Sequence, residues 1–542
     1  MANLFKRKNS LSNNLKRLLF VITLIHSSLS FGQELPYYFG KVVDSKNGAP
    51  LAFASIVQKN KSVGLISNDN GSFKIPTYFA VANVTIVVSF IGYYSEEILV
   101  SNLDRNKLNI IKLVEKTEFL NEVVVKNRPK NLTAEGIVKL AIKNIKNNYP
   151  FDDFSYVGYY RDYQKTRDNT YVNLNEAILH VYDAGFGFKD YAATNTQIYK
   201  YTKNLSFPID SVASRLYDYT NKTKIIDNAR LGYLSQNANE FAILRVHDAI
   251  RNYNINTYDF VNNLESDFVR NHAFEMVRGT SLNDISLYEI KAYKYIDDIY
   301  AEGKIFISKD DYKIYKLQYA VYKRKEGNSR KNSYTPSLNK GKLIINIIVE
   351  YADYNEAMYP KYISFSNPFE VTGPPKFFPV DAKFGFVRTP PDNMILFVDM
   401  IFNNKVSPKK AYKKKNYKLG YKGSKIKIDS IEVKNDTVRI WPKDSDMYFP
   451  KRAWLEDGLR LSGKDFSLEV KNIEDIDGNV VFQDEIIPYS QYREFFIQEL
   501  KLDTKKPKNA LYMIKTQPIF KNQPIGTSKG ISKYWMNTPL KE

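Results

Sequence analysis

Residues 40–57 read GKVVDSKNGAPLAFASIV, residues 64–75 GLISNDNGSFKI and residues 84–98 VTIVVSFIGYYSEEI. Phe39–Asp44 is a strand closed by the turn cluster Ser45–Gly48, and Pro50–Gln58 alternates as a second strand. Val63–Ser67 is a third, followed by Asn68-Asp69-Asn70-Gly71, a strong turn signal because Asn and Gly tolerate positive φ. Ser72–Ile75 and the β-branched run Val84–Tyr93 complete the set. Short strands at near-regular spacing predict a small β-sandwich over residues 33–115. It is expected to fold alone, although domains of this size are marginal.

The three stretches resemble the carboxypeptidase-regulatory-like domain of Bacteroidota envelope proteins, a transthyretin-type sandwich. The resemblance implies a fold and a compartment. It implies no chemistry, because in that family the module is an accessory without catalytic residues. LNEVVVKNRPK at 120–130 resembles the segment joining such a module to the next domain in TonB-dependent receptors. The rest of the chain lacks the series of alternating segments that a membrane barrel requires, so a transporter is not expected.

Upstream, Lys6, Arg7, Lys8, Lys16 and Arg17 precede the apolar run Leu18–Ile25, and Ser30-Phe31-Gly32 precedes Gln33. This is the anatomy of a secretory signal over residues 1–32. The run is shorter than the roughly 20 residues that span a bilayer, and no later segment approaches that length. Removing 1–32 takes five cations and no acid, so the net charge of +20 falls to +15. With no cysteine in the chain, disulfides, thiol catalysis, zinc ribbons and a lipid-bearing cysteine are excluded. Hydrophobic content of 43% and charged content of 25% exclude wholesale disorder. The expected location is the periplasm, peripheral to the outer membrane, with no transmembrane span in the mature chain.

Downstream, residues 116–150 read as a linker and a short helix. Ile137, Leu140, Ala141 and Ile145 share one face, Thr133 is the N-cap and Pro150 ends it. Residues 151–403 read as a central antiparallel β-rich domain with a few helices, one of them around Ala238–Ile250. Within it, 286–366 is a meander, and Gly303-x-Ile305-x-Ile307-x-x-Asp310-x-Tyr312 resembles the half-barrel sheet of periplasmic lipoprotein carriers, which cups an acyl chain. Residues 404–427 read as a linker holding Lys405, Lys409, Lys410, Lys413, Lys414, Lys415, Lys418, Lys422, Lys425 and Lys427 and no acid. Residues 428–500 return to β signals, and KDFSLEVKNIEDIDGNVV at 464–481 resembles the end of bacterial immunoglobulin-like domains. The tail 501–542 is polar and basic and is expected to be poorly ordered. The predicted fold class is therefore mainly β and multi-domain: an N-terminal small β-sandwich, a central antiparallel sheet and a C-terminal immunoglobulin-like domain.

Chemistry is sparse. His272-x-x-Glu275 resembles the zinc pair of metallocarboxypeptidases, but no histidine follows to supply the third ligand. Both residues are expected to be surface or strand-edge polar groups. His180 and the pair His247-Asp248 nominate no base on their own. Asp475, Asp477 and Asn479 suggest a calcium loop, yet Val480 and Ile486 occupy the positions where an EF-hand needs Gly and Glu, so a tight turn is expected. No catalytic residue, metal or cofactor is predicted. The 41 tyrosines and 33 phenylalanines could stack on sugar rings or line an apolar surface. The lysines read as a solvated linker or as a contact for anionic headgroups, at about 1 kcal/mol per basic residue near a charged surface. Nucleic acid is disfavoured by export. The expected function is a non-enzymatic periplasmic binding or scaffold subunit for an integral outer-membrane protein complex. The alternatives are a periplasmic carrier of lipid or lipoprotein built on the 286–366 sheet, and a glycan- or peptidoglycan-binding protein.

Overall fold

The computed structural model describes residues 37–116, 132–216, 221–225, 239–252, 268–296, 299–324, 341–390, 393–448, 450–452, 465–526 and 530–540. Over these residues the chain is mainly β and divided among several sheets, as predicted. The expected signal at 1–32 and the motif at 120–130 lie outside the described residues.

The N-terminal module has seven strands: β1 (Tyr37–Asp44), β2 (Ser55–Gln58), β3 (Gly64–Ile66), β4 (Ser72–Pro76), β5 (Thr85–Ser89), β6 (Glu96–Leu99) and β7 (Asn109–Leu113). They form two sheets, β4-β1-β7 with β1 and β7 parallel, and β3-β2-β5-β6. Val42, Ile56, Phe73, Ile86 and Val88 fill the core between them. The turn at 68–71 closes on Gly71, whose φ is +77° and whose added Cβ would sit 2.5 Å from the Val42 carbonyl oxygen. The same core contains Trp535. An independently folding module was expected, but its packing is completed from the far end of the chain.

The central sheet is antiparallel and long. Its strands are β8 (Phe154–Thr166), β9 (Tyr171–Asp183), β10 (Asn195–Lys203), the short β11 (Lys224–Ile225), β12 (Ala273–Leu282), β13 (Ile285–Ile296), β14 (Ile299–Ser308), β15 (Ile314–Lys323), β16 (Lys342–Tyr354), β17 (Ala357–Gly373) and, from far downstream, β25 (Glu485–Leu500). Across the sheet the order is β10-β9-β8-β25-β17-β16-β15-β14-β13-β12, with β11 on β17. The predicted meander is thus present, and β25 joins it to the β8–β10 meander.

One face of this sheet is covered by the chain's own helices. The helix Ala134–Lys143 is capped by Thr133, whose Oγ1 accepts from the Gly136 N–H at 3.1 Å, and it buries Ile137, Val138 and Ala141 against the sheet. The helix Glu240–Val246, capped by Asn239, adds Phe241 and Leu244. The opposite face at β8 and β25 packs Val157, Tyr159, Tyr362 and Phe496 against Phe53 and Ile66 of the module and Tyr534 of the tail.

Between β17 and β25 the chain builds a separate β unit from β18 (Pro379–Thr389), β19 (Asn393–Phe402), β20 (Tyr417–Tyr421), β21 (Ser424–Ile426), β22 (Ile428–Lys434), β23 (Thr437–Pro442) and β24 (Phe466–Val470). Its sheets are β18-β19-β23-β22 and β21-β20-β24. It leaves and re-enters the central sheet at paired residues, Gly373 opposite Glu485.

Three expectations are corrected here. Residues 404–427 are not a linker, because Tyr417, Leu419, Tyr421 and Ile426 are buried core residues of the inserted unit and the lysines alternate with them toward solvent. Residues 428–500 are not one domain, because β25 belongs to the central sheet. The tail is not loose over its described residues: Met513 N–H donates to the Thr196 carbonyl at 2.7 Å and Gly526 N–H to the Ile198 carbonyl at 2.8 Å. The tail therefore runs along β10 and covers an edge strand that would otherwise present unpaired backbone groups.

Candidate functional site

Several of the residues that join module, sheet and tail are fully buried polar groups. Arg161 on β8 and Glu494 on β25 are both fully buried, with Arg161 Nε donating to Glu494 Oε2 at 2.5 Å. Burial alone would discharge the guanidinium, but the Glu494 carboxylate opposes this and holds its pKa well above the ordinary value. Tyr362 donates to the other Glu494 oxygen at 2.9 Å. Arg161 Nη1 reaches across to Asn68 Oδ1 in the module turn. Beside it, Asp69 accepts from Lys165 and Tyr171. Burial tends to raise the Asp69 pKa, and the Lys165 charge more than offsets this, leaving it lowered. The turn that the sequence marked at Asn68–Gly71 is thus the part of the module that meets the side chains of the sheet.

The tail passes through the same junction. Trp535 Nε1 donates to the Lys74 carbonyl at 2.9 Å, and the Trp535 carbonyl accepts from Gln498 at 2.7 Å. Asn537 accepts from Lys74 N–H at 2.9 Å and donates to the Ile66 carbonyl at 3.0 Å. Thr538 donates to Glu176, which also accepts from Tyr159 at 2.6 Å. Many of the tyrosines are therefore core groups whose hydroxyls satisfy buried carboxylates.

A second set of contacts holds the module at the β12–β13 hairpin. Gly92 N–H donates to the Ser281 carbonyl at 2.8 Å, Ser95 Oγ meets Asn283 Oδ1 at 2.5 Å, and Arg278 approaches Glu115 at 3.6 Å. A cleft of about 490 Å³ is lined by β2, β3 and β5 of the module together with the β12–β13 and β16–β17 hairpins and the end of β25.

On the helix-covered face, Arg251 holds Asp183 through Nε and Nη2, and Arg245 bridges Asp183 and Asp190. Asp248 accepts from Tyr351 at 2.7 Å, and burial pushes its pKa up to about 6. This cluster anchors the helix Glu240–Val246 in place.

The three histidines among the described residues are buried and hydrogen-bonded. His180 lies between Tyr199, Tyr182 and Ser155, and burial lowers its pKa to about 3. His247 Nδ1 meets the Ile243 carbonyl at 2.6 Å and its ring stacks on Phe365 at 3.9 Å. His272 is buried rather than superficial, bonded to the Phe268 carbonyl and the Tyr319 hydroxyl, whereas Glu275 is exposed on β12, so the structure does not pair them as a ligand set. Asp475 shapes a turn: Oδ1 accepts from the N–H groups of Asp477 and Asn479, and Oδ2 from the side chains of Asn404 and Asn479.

Of the ten lysines, Lys405, Lys409, Lys413, Lys414, Lys415, Lys418, Lys422, Lys425 and Lys427 are exposed on the inserted unit and Lys410 is half-buried. Lys410 pairs with Glu474, Lys418 with Glu469 at 2.6 Å and Lys422 with Asp465 at 4.0 Å. Lys405, Lys409, Lys413, Lys414, Lys415 and Lys425 have no ion-pair partner among the described residues. The junction and the cleft were missed at the sequence level. Trp535, one of three tryptophans, beside Tyr534 in an otherwise polar tail was the available signal.

Residues 38–125 match the family model of the CarboxypepD_reg-like domain. The N-terminal module is such a domain. No curated protein and no solved structure matches the chain. Among the described residues, no helix is long and apolar enough to cross a membrane.

Proposed function

We propose that the chain is an exported, non-enzymatic protein of the Bacteroidota envelope. It works in the periplasm, peripheral to the outer membrane, as a binding or scaffold subunit for an integral outer-membrane protein complex. The observation that carries this reading is the division of labour in the fold. The regulatory-like domain, central sheet and tail are joined by the Arg161–Asn68 hydrogen bond, the Lys165–Asp69 ion pair and a shared tryptophan, while the inserted unit hangs from two paired strand ends and displays the lysines. A rigid body with a projecting cationic unit suits assembly. Its charge raises encounter rates with anionic surfaces and is screened by salt. The exposed side chains Phe386, Val387, Tyr412, Tyr448 and Phe482 on the same unit offer the apolar contacts that specificity needs. The signal-like anatomy of residues 1–32 supports export.

The carrier reading loses part of its footing. The sheet that was expected to cup an acyl chain has one face packed against the helices Ala134–Lys143 and Glu240–Val246 and against Met513 and Ile519 of the tail. The glycan reading loses support where Tyr156, Tyr159, Tyr160, Tyr163, Tyr351 and Tyr362 are fully buried.

Fractionation of the native host tests the proposal. The protein is expected with the outer membrane at low salt and, after detergent extraction, in a complex with an integral barrel protein. Replacing the six unpaired lysines with glutamine is expected to release it at lower salt. A wholly soluble, monomeric protein in native extracts would overturn the reading.

A further inference from the structure

The geometry points to the cleft between the N-terminal module and the rim of the central sheet as a binding site for an anionic amphiphile: an acyl chain carrying a carboxylate or phosphate headgroup. This goes beyond the scaffold reading and stands or falls separately from it.

The cleft is braced open. On one side the module is fixed to β8 through Asn68 and Asp69 and to the tail through Asn537, and on the other to the β12–β13 hairpin through Gly92, Ser95 and Glu115. The space between these two clamps is about 490 Å³. That lies within the roughly 300–1,000 Å³ of small-molecule sites.

The walls are apolar where a settled interface would have closed. Val57 and Val87 are cross-strand partners on β2 and β5, and they alternate with the core residues Ile56, Ile86 and Val88. Outward-facing positions on a strand are normally polar, yet these two are valines, half-buried, and they line the cleft. Leu282, Ile285, Ile497 and Leu500 line it from the sheet, each half-buried and packed on the main core. Apolar surface held apart in this way gains free energy from any chain that fills it.

The charge is one-sided. Lys59, Lys61 and Lys361 line the cleft, and Asp353 is the one acid among its lining residues, although Lys59 is paired with Glu97 at 2.6 Å just outside them. Asp353 is bound to Lys313 at 2.5 Å. Lys361 shares its acid: Glu350 lies 2.5 Å from Lys316 and 3.9 Å from Lys361. Two amines thus face one carboxylate, and burial lowers the Lys361 pKa. A ligand anion near Lys361 would supply the missing countercharge. A cationic headgroup would not.

Isothermal titration of the full chain with sodium decanoate tests this, with decyl phosphate, decan-1-ol and decyltrimethylammonium as comparators. Saturable binding of either anion at one site per chain is expected, at least tenfold tighter than the alcohol and the cation. Lys361→Gln is expected to weaken anion binding about tenfold and leave the alcohol unchanged, and Val57→Trp to abolish binding of all of them. Because Val57→Trp could unfold the module, the wild-type chain is also photolabelled with a diazirine-bearing fatty acid. Adducts are expected in peptides covering 55–65, 282–285, 351–361 and 497–500. Absence of saturable anion binding, equal affinity for the cation, unchanged binding in both variants, or adducts confined elsewhere would each overturn the proposal.

Discussion

Two small β units are attached to the same central sheet, and they are attached in opposite ways. The N-terminal module is held by long-range polar contacts whose innermost members, Asn68 and Arg161, are buried, and part of its core comes from Trp535. The inserted unit between β17 and β25 has cores made from its own strands, and it meets the sheet through two adjacent strand ends. The comparison separates stability from display. The module is spent on the junction, whereas the inserted unit is free to present its surface.

The largest expected effect is at the junction. Glu494→Ala leaves Arg161 charged and buried without its partner, and breaking such a pair costs about 3–5 kcal/mol. Denaturant unfolding of the variant should show that loss, together with proteolytic release of the module. The corresponding change in the inserted unit, Asp399→Asn opposite Arg439, involves a pair with 34% exposure on the arginine side. It should cost no more than about 1 kcal/mol.

Next is Trp535→Ala. Removing a buried tryptophan from a packed core costs about 3–5 kcal/mol. The loss should fall on the module, read as faster hydrogen exchange in β1–β7. By the same argument, an excised fragment of residues 37–116 should gain thermal stability when a peptide of residues 530–540 is added. An excised inserted unit, residues 374–484, should need no such supplement.

A smaller effect is titration. Burial lowers the His247 pKa to about 4, below the value of about 6.5 expected when unfolded. The native state therefore resists protonation. The stability this group contributes is present above pH 6.5 and is lost as pH falls toward 4, by about 2 kcal/mol at pH 5. Asp248 acts in the opposite sense. Its pKa is raised to about 6, so its favourable contribution is present below the unfolded carboxylate pKa and is lost as pH rises through 6. His247→Gln should flatten the fall in stability between pH 6.5 and 5 and leave the rise attributable to Asp248. The smallest expected effect is of EDTA, which should leave the melting temperature unchanged because Asn404 and Asn479 already engage Asp475.

These differences also explain what could be read in the sequence. The module was legible because its strands are short and its turns are marked locally, with Asn68–Gly71 reversing the chain between β3 and β4 as it passes from one sheet to the other. The 286–366 meander was legible for the same reason. β25 was not, since its partner β8 lies 333 residues away at the Arg161–Glu494 pair and its charged residues imitate a surface strand. The lysine-rich stretch hid a period-two pattern, with Tyr417, Leu419 and Tyr421 inward and Lys418 outward. The tail was misread because Trp535 meets Lys74 across 461 residues, a contact that no local rule contains.

The central claim is that module, sheet and tail unfold together while the inserted unit does not depend on them. Native-state hydrogen exchange of the full chain, followed by peptide across a denaturant series, tests it most directly. Peptides from β1, β4, β8, β25 and residues 530–540 should converge on one opening free energy, and those from β19, β20 and β23 should follow a separate one. A module that exchanges well before β8 and β25, or an inserted unit that merges with them, would contradict the account.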